Sequence, residues 1–295
     1  MNLTEFLVDR KKNNKIILLD GAMGTQLAEA GCEMGGENCL MNPETVKSIH
    51  KKYLNSGSEL IITNTLTMNR IYIETHKLGI DIREVNLAGA TLAKEVTGPG
   101  QYVLGDMSSS GRMLEPNGDL TENDAYDSFK EQASILAEGG VDGFMIETMF
   151  DLKETLCALR ACKEAAGLPV IASLTFNTAE KGGRTIMGDS AEDCAAALEE
   201  GGASVAGTNC GNLDLEEAAG IVALMRGATS LPILAKPNAG KPRLVDKQTV
   251  FDTEPPEFAE GIKGCLKAGA DLVGGCCGTS PAHIKAVADL LNKFK

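Results

Sequence analysis

Short apolar runs alternate with longer stretches of helical periodicity along most of the chain. Most of the runs are continuously apolar, which is typical of strands that are buried on both faces of a parallel sheet. The pattern predicts eight strands: Ile16–Leu19, Leu60–Thr63, Tyr102–Gly105, Gly143–Glu147, Val170–Leu174, Ser204–Thr208, Ile233–Lys236 and Leu272–Gly275.

The segments between these runs carry the signals of helix starts. Asn42 is followed by a proline, which is favoured at the first helical position. Thr121, Asp151 and Ser190 are each followed three residues later by an acid, as in a capping box. Eight such strand–helix units predict a (β/α)8 TIM barrel, formed by residues 1–295 as a single domain. An open, doubly wound sheet is the alternative.

In such a barrel the functional residues lie where the strands end, because the loops that follow the strands share one face. The residues at these ends, most of them polar residues, glycines or cysteines, therefore form a candidate rim. Its members are Asp20, Gly21, Ala22, Met23, Asn64, Asp106, Glu147, Asn209, Cys210, Lys236, Asn238, Cys276 and Cys277.

Three of the nine cysteines are on this rim. Cys276 and Cys277 lie in a Gly-Gly-Cys-Cys-Gly loop after the eighth predicted strand, and Cys210 follows the sixth. Adjacent cysteines cannot form a disulfide with each other without strain. The loop therefore indicates a metal clamp or a pair of reactive thiols, and three thiolates are a known zinc ligand set that leaves a fourth position open.

The other six cysteines have different surroundings. Four lie in helical patterns rich in alanine and leucine, and we predict that they are small buried hydrophobes. Two flank a glycine-rich loop, and we predict no functional role for them. The first group is Cys157, Cys162, Cys194 and Cys265, and the second is Cys32 and Cys39.

Composition and charge limit the classes of partner and the cellular compartment that can be expected for this protein. The formal net charge of −13 disfavours a nucleic-acid partner. No apolar run approaches the roughly 18 residues of a membrane helix, and the first ten residues lack the pattern of a secretory signal. Nine cysteines, an odd number, do not indicate a disulfide framework. We therefore expect a cytoplasmic protein, not bound to a membrane, with metal or thiol chemistry.

Three thiolates on Zn²⁺ leave one position that a substrate thiol would fill. A free aliphatic thiol, with a pKa of about 8.5, is mostly protonated at neutral pH. The charge of the metal deprotonates a coordinated thiol, and the resulting thiolate can attack an electrophilic methyl group. A zinc site of three cysteines could therefore support the methylation of a thiol.

An amino-acid substrate would need a negative charge for its ammonium group and N–H donors for its carboxylate. Asp20 and Glu147 at strand ends can supply the charge. Backbone N–H groups of residues 21–25, which open a predicted helix, can supply an anion site. A helix cap is the alternative role for Asp20, whereas Glu147 ends an apolar strand at the rim.

Six motifs occur together in one order along the chain. They are Asp20-Gly-Ala-Met-Gly-Thr25, Thr63-Asn-Thr65, Glu147-Thr148, Asn209-Cys-Gly211, Pro237-Asn-Ala-Gly240 and Gly274-Gly-Cys-Cys-Gly-Thr279. With these motifs the chain resembles the homocysteine S-methyltransferase family, and most closely the homocysteine-binding module of cobalamin-dependent methionine synthase.

The resemblance implies a zinc-bearing (β/α)8 barrel that methylates homocysteine to methionine. It implies that Asp20 and Glu147 contact the amino group of the substrate. Asn238 matches a position that can ligate zinc when no substrate is present. The zinc ligands that the resemblance implies are Cys210, Cys276 and Cys277.

The methyl donor and the range of thiol acceptors stay open. Two rim loops depart from the cobalamin branch: Leu66-Thr-Met-Asn69 replaces Phe-Gly-Ala-Asn, and Ser108-Ser-Ser-Gly111 replaces Gly-Pro-Thr-Gly. No Asp-x-His-x-x-Gly cobalamin motif is present, so methylcobalamin or another corrinoid would come on a separate protein or free in solution. S-methylmethionine and betaine-type donors are the alternatives, although few aromatic residues are available to bind onium methyl groups.

Two hypotheses come from other functional classes. Lys236 at the end of a predicted strand could form a Schiff base, as in barrel aldolases, but the three rim cysteines would then have no role. The chain could instead be a non-catalytic zinc- or thiol-binding component of a corrinoid methyl-transfer system. Lys241 and Arg243 would mark either a docking edge for an acidic partner or a solvated loop.

Overall fold

The computed structural model describes residues 1–245 and 248–293. The strands in these ranges are β1 (Ile17–Leu18), β2 (Leu60–Ile62), β3 (Tyr102–Met107), β4 (Gly143–Met149), β5 (Val170–Leu174), β6 (Val205–Asn209), β7 (Ile233–Lys236), β8 (Arg243–Val245), β9 (Gln248–Val250) and β10 (Leu272–Val273). The α-helices are α1 (Leu3–Lys12), α2 (Gly24–Glu29), α3 (Asn38–Met41), α4 (Pro43–Asn55), α5 (Arg70–His76), α6 (Ile82–Lys94), α7 (Glu122–Glu138), α8 (Leu152–Ala166), α9 (Ala191–Gly201), α10 (Leu215–Ala228), α11 (Pro255–Lys267) and α12 (Pro281–Leu291). No helix in these two ranges combines the length and the apolar character that a membrane crossing requires.

Eight parallel strands form one sheet in the order β1-β10-β7-β6-β5-β4-β3-β2. Leu19 forms a parallel bridge with Leu60, which joins the two outer strands and closes the sheet. At least one helix follows each of these strands before the next one begins. The predicted (β/α)8 TIM barrel is therefore confirmed, and the open doubly wound alternative is excluded by the closure.

Apolar side chains pack in two layers, one inside the barrel and one between the strands and the helices. Leu3, Phe6 and Leu7 of α1 belong to the inner layer. The Phe6 ring lies 4.8 Å from the ring of Tyr102, the first residue of β3. Helix α1 therefore covers the amino-terminal end of the barrel, and the opposite end is left for a site.

The predicted helix starts are largely those of the structure. The side chains of Thr121, Asp151 and Ser190 accept hydrogen bonds from the first-turn backbone of α7, α8 and α9. Asn42 precedes α4, but its side chain donates to Asn38 Oδ1 (2.8 Å) and does not cap the helix.

A hairpin that the apolar pattern did not predict lies between β7 and α11. Strands β8 and β9 pair antiparallel, and Arg243, Leu244 and Val245 are all exposed, so no burial pattern marks them. Arg243 pairs with Asp252, and Lys241 Nζ lies 3.2 Å from a carboxylate oxygen of α10. Both cations are thus partnered within the chain, as expected for a solvated loop.

Candidate active site

Three thiols meet at the carboxyl-terminal end of the barrel. Cys210 follows β6, whereas Cys276 and Cys277 follow β10, and their Sγ atoms all lie within 4.8 Å of one another. The Sγ atoms of Cys210 and Cys277 are 3.9 Å apart. Since β7 separates the two strands in the sheet, the convergence depends on the curvature of the barrel.

The backbone around the thiols is closely packed. Cys210 has a φ of 53°, which is uncommon for a residue with a side chain. Gly211 has no space for a side chain, because a Cβ would lie 2.5 Å from Phe176 O. Thr279 Oγ1 donates to Cys276 O (2.7 Å), which fixes the loop after β10. These constraints hold the three sulfur atoms in one place.

The surroundings of the thiols oppose their ionisation. Hydrogen bonding with Cys276 lowers the pKa of Cys210, but Cys277 and burial raise it, to about 12. Hydrogen bonding with Cys210, together with burial, raises the pKa of Cys276 well above its usual value. Three thiolates this close would repel one another unless a cation lay between them. The donor set and its spacing therefore fit a thiolate-bound metal.

A second cluster, of one lysine and three acids, lies in the same barrel mouth. Lys236 Nζ is 2.8 Å from Glu147 Oε2 and 3.9 Å from Asp20 Oδ1, and each of these side chains is at most 6% exposed. Asp20 Oδ2 accepts a hydrogen bond from Ile62 N–H (2.9 Å), so this side chain binds the neighbouring strand instead of capping a helix. Asp20 Oδ1 and Asp106 Oδ1 are buried without a hydrogen-bond partner among the described residues. These two carboxylate oxygens are therefore available to accept hydrogen bonds from a cationic ligand.

Burial and mutual charge shift the pKa values in this cluster. Burial raises the pKa of Asp20 and the charge of Lys236 lowers it, with a result of about 7. Burial, followed by the charge of Glu147, raises the pKa of Asp106 well above its usual range. Burial lowers the pKa of Lys236, but the charges of Glu147 and Asp20 outweigh it, and the net pKa is raised. Lys236 is thus a protonated ion-pair partner and a poor amine nucleophile.

One cavity of about 330 Å³ joins the two clusters. Asp20 lies behind its wall and contacts Lys236, which lines it. Asn238 also lies outside the lining; its Nδ2 donates to Gly211 O (3.0 Å). Besides Lys236, the predicted rim residues that line the cavity are Gly21, Ala22, Met23, Asn64, Asp106, Glu147, Cys210, Cys276 and Cys277.

The loop before α2 is tied to the loop that carries the cysteines. Ala22 N–H donates to Thr279 Oγ1 (3.0 Å), and Ala22 O accepts from Tyr53 OH (2.6 Å). The N–H of Ala22 is therefore engaged within the protein, in contrast to the anion-binding role expected for it. Asn64 is also anchored, since its Nδ2 donates to Gly35 O (3.0 Å).

Sequence reasoning gave no role to Tyr72 or Thr148, which also line the cavity, and did not foresee the ion pair between Lys236 and Glu147. A signal for Lys236 was present, because three acids at buried strand ends require a countercharge. Thr148 belongs to the Glu147-Thr148 motif, which predicted no role for the threonine, and Tyr72 lies outside the strand ends.

The remaining cysteines do not line the cavity. The four that were predicted to be buried hydrophobes lie in α8, α9 and α11 and are at most 4% exposed, which confirms that prediction. Cys39 is also buried, and its Sγ donates to Asn64 O (3.3 Å), whereas Cys32 is half-buried.

The sequence profile of the homocysteine S-methyltransferase family matches residues 17–291. The chain belongs to this family. The family assignment made from the six motifs is therefore confirmed.

Curated relatives of this homocysteine S-methyltransferase family member include two named methionine synthase. The protein from Mycobacterium leprae (strain TN) is 32% identical over 295 residues, which cover 93% of this chain and 24% of the relative. The protein from Mycobacterium tuberculosis (strain ATCC 25618 / H37Rv) is 31% identical over 304 residues, with 96% and 25% covered. The chain thus spans about a quarter of the length of these relatives.

Solved structures share the fold. The homocysteine methyltransferase MmuM from Escherichia coli, in its metallated form, has a TM-score of 0.76 at 21% identity and covers 93% of this chain and 96% of its own. The carboxyl transferase domain of Rhizobium etli pyruvate carboxylase, with pyruvate, has a TM-score of 0.51 at 17% identity, with 93% and 46% covered. At these identities the likeness concerns the barrel alone.

Proposed function

We propose that this chain transfers a methyl group to the sulfur of homocysteine, forming methionine, with zinc held by Cys210, Cys276 and Cys277. The observation that carries the proposal is that the three thiols line a single cavity together with Asp106, Glu147 and Lys236 of the acidic cluster. Homocysteine has a thiol at one end and an amino-acid group at the other, so the two clusters match its two ends.

The residues present fit a zinc ion. Three thiolates are a known ligand set that leaves one position for a substrate. Asn238 Oδ1 is buried and has no hydrogen-bond partner in the described part of the chain, and we propose that it occupies this position before the substrate binds. Zinc bound here would supply the positive charge that favours the deprotonated form of a substrate thiol at neutral pH.

The acidic cluster would bind the ammonium group of the substrate. Glu147 and Asp20 both form ion pairs with Lys236, but Asp20 Oδ1 and Asp106 Oδ1 are each buried without a hydrogen-bond partner in the described ranges. An ammonium group brings three N–H donors and a positive charge. Its binding would satisfy acceptors whose burial is otherwise costly.

We propose that the loop at residues 21–23, together with Asn64, binds the substrate carboxylate. These four residues line the cavity. Because the N–H of Ala22 is held by Thr279, the backbone N–H groups of Gly21 and Met23 are the better donors. Binding at both ends would fix the substrate sulfur near the thiol cluster, which lowers the entropic part of the barrier.

We propose a methylcorrinoid on a separate protein as the methyl donor. The relatives named methionine synthase, which align with nearly the whole of this chain, support a donor of this kind. Among the described lining residues, Tyr72 is the one aromatic side chain. Onium methyl groups are bound by cages of several aromatic rings, which makes S-methylmethionine or a betaine the less favoured donor.

Zinc-edge X-ray absorption, with and without homocysteine, tests the site and the acceptor together. A rise from three to four sulfur ligands supports both parts, while a constant three sulfurs retains the metal and points to another thiol. Protein that binds no zinc under reducing, zinc-supplied conditions would sink the proposal.

Turnover with methylcobalamin and with S-methylmethionine then distinguishes the donors. Repeated turnover with the first alone supports the corrinoid route. Stoichiometric methylation of homocysteine without turnover would favour the non-catalytic component instead.

We also propose a single domain in a reducing, cytoplasmic compartment. The barrel strands run from residue 17 to residue 273; α1 packs in the inner apolar layer of this barrel and α12 in the outer one. All nine cysteines are free in the described structure, a state that a reducing compartment preserves.

A further inference from the structure

We propose that Asn209 is a positioning residue that joins the substrate end of the site to the thiol cluster. The inference rests on the proposed zinc role of the cysteines. Asn209 is the last residue of β6 and is 1% exposed. Its side chain lies between the ends of β4 and β5 and the loop after β10.

The amide of Asn209 uses its full hydrogen-bonding capacity. Its Oδ1 accepts from Thr148 N–H (2.8 Å) and from Ser173 Oγ (2.6 Å). Its Nδ2 donates to Thr148 Oγ1 (2.8 Å) and lies 3.7 Å from Cys276 Sγ. A backbone N–H can only donate, so the contact to Thr148 N–H fixes which amide atom is oxygen. The N–H groups therefore point towards Thr148 Oγ1 and the sulfur.

On the substrate side, Asn209 holds an irregular part of β4. The pairing of β4 with β5 shifts by one residue between Ile146 and Met149, as in a β-bulge. Thr148 within this bulge has a φ of 59°, which is strained for a β-branched residue. Asn209 binds both the N–H and the hydroxyl of Thr148 and so stabilises this conformation. The bulge in turn directs Glu147, the preceding residue, into the cavity.

On the metal side, the same residue acts on two of the thiols. Asn209 immediately precedes Cys210, whose φ of 53° is also unusual. An N–H that donates to a ligand sulfur fixes its orientation and stabilises its negative charge, as outer-shell partners of metal ligands do. One side chain thus connects the bulge beside Glu147 to the sulfur atoms, the groups proposed to hold the amino and thiol ends of the substrate.

Asn209→Asp tests the inference, because it keeps the size and the acceptor oxygen but removes both N–H donors. We expect zinc affinity, measured by competition with a chromogenic chelator, to fall about tenfold or more. The sulfur-to-cobalt charge-transfer band of the Co²⁺-loaded protein should also shift. Asn86→Asp is the matched control: Asn86 is fully buried, and its Nδ2 donates to Met68 O and Ile82 O, outside the cavity lining. We expect its metal affinity to equal that of the wild type.

Asn209→Ser, which removes the amide without adding a charge, is measured in parallel in case the aspartate variant does not fold. Wild-type zinc affinity and cobalt spectrum in either folded variant overturn the inference but leave the proposed function intact. A wild-type protein that binds no metal through the three sulfurs overturns the proposed function and this inference together.

Discussion

The barrel mouth and the helix layer around the barrel both bury titratable side chains, but the neighbours of these side chains differ between the two regions. At the mouth, three thiols lie within 4.8 Å of one another, beside a lysine that is paired with two acids. In the helix layer, Cys162, Cys194, Cys265 and His50 are each fully buried within separate parts of the apolar core. Burial is therefore common to both regions. The candidate site differs from the packed core because several titratable side chains meet there.

The pKa values of the buried thiols do not distinguish the two regions either. Burial raises the pKa of Cys194 to about 12, and the neighbouring thiols and burial bring Cys210 to the same value. The physical difference is in the neighbours: Cys210 has two other sulfurs that can share a cation, whereas Cys194 lies in the apolar core. Four predictions test this distinction.

Replacing a clustered cysteine should have the largest effect. We expect Cys276→Ala to lose zinc and activity, because two remaining thiolates are an incomplete ligand set. Cys194→Ala should keep both and lose only about 1 kcal/mol of unfolding free energy. Metal analysis and activity assays compare the two variants, and wild-type zinc content in Cys276→Ala would remove that residue from the site.

Glu147→Gln should affect substrate binding more than metal binding. Loss of the charge should cost about 2 kcal/mol, or a roughly 30-fold rise in KM for homocysteine, with zinc content retained. Glu154→Gln is the matched control, since Glu154 is 1% exposed and accepts from Ser110 N–H (2.8 Å) outside the cavity lining. Equal KM values in the two variants would contradict the proposed role of Glu147.

Lys236→Met should destabilise the fold, because it leaves the acids of the mouth without a countercharge. We expect a loss of about 3–5 kcal/mol of unfolding free energy, measured by denaturant titration. The double variant with Glu147→Gln should lose less than the two single variants combined, since the residues are in contact. Lys285→Met, in an exposed pair with Asp289, should cost at most about 1 kcal/mol. A similar small loss in Lys236→Met would show that the buried pair is not needed.

His50, in the helix layer, should make the unfolding free energy of the protein depend on pH. Burial lowers the pKa of His50 from 6.5 to about 4, and neither ring nitrogen has a hydrogen-bond partner among the described residues. The unfolded state binds the proton more readily, so stability should fall as the pH drops from about 6.5 to about 4 and then level off. The contribution is about 3 kcal/mol. The unfolding free energy of His50→Leu should lack this part of the decline; an unchanged pH profile would refute the assignment.

Local patterns in the sequence were sufficient to predict much of the fold. Continuous apolar runs located the eight barrel strands to within about two residues, because burial on both faces of a sheet leaves a strong local signature. Thr121, Asp151 and Ser190 located three helix starts, since capping involves neighbouring residues. The exposed β8–β9 hairpin was missed because its residues have no buried side.

The candidate site was predictable in part. The strand-end rule placed Cys210, Cys276 and Cys277 on one rim, and the structure brings their sulfur atoms together. It did not reveal that Asp20 binds the backbone of β2, or that Lys236 pairs with Glu147. Those contacts join residues far apart in the sequence, and no local pattern encodes a particular pair.

The sequence by itself determined the alternation of elements, the motifs of the family and the residue types at the barrel mouth, because these depend on local chemistry and order along the chain. Only the tertiary structure decided which of these groups meet. Closure through Leu19 and Leu60, and the bulge at Thr148, set the directions of the side chains at the strand ends. Hydrogen bonds and ion pairs act over a few ångströms, so the contacts of Asn209 and Lys236 exist only once those directions are fixed.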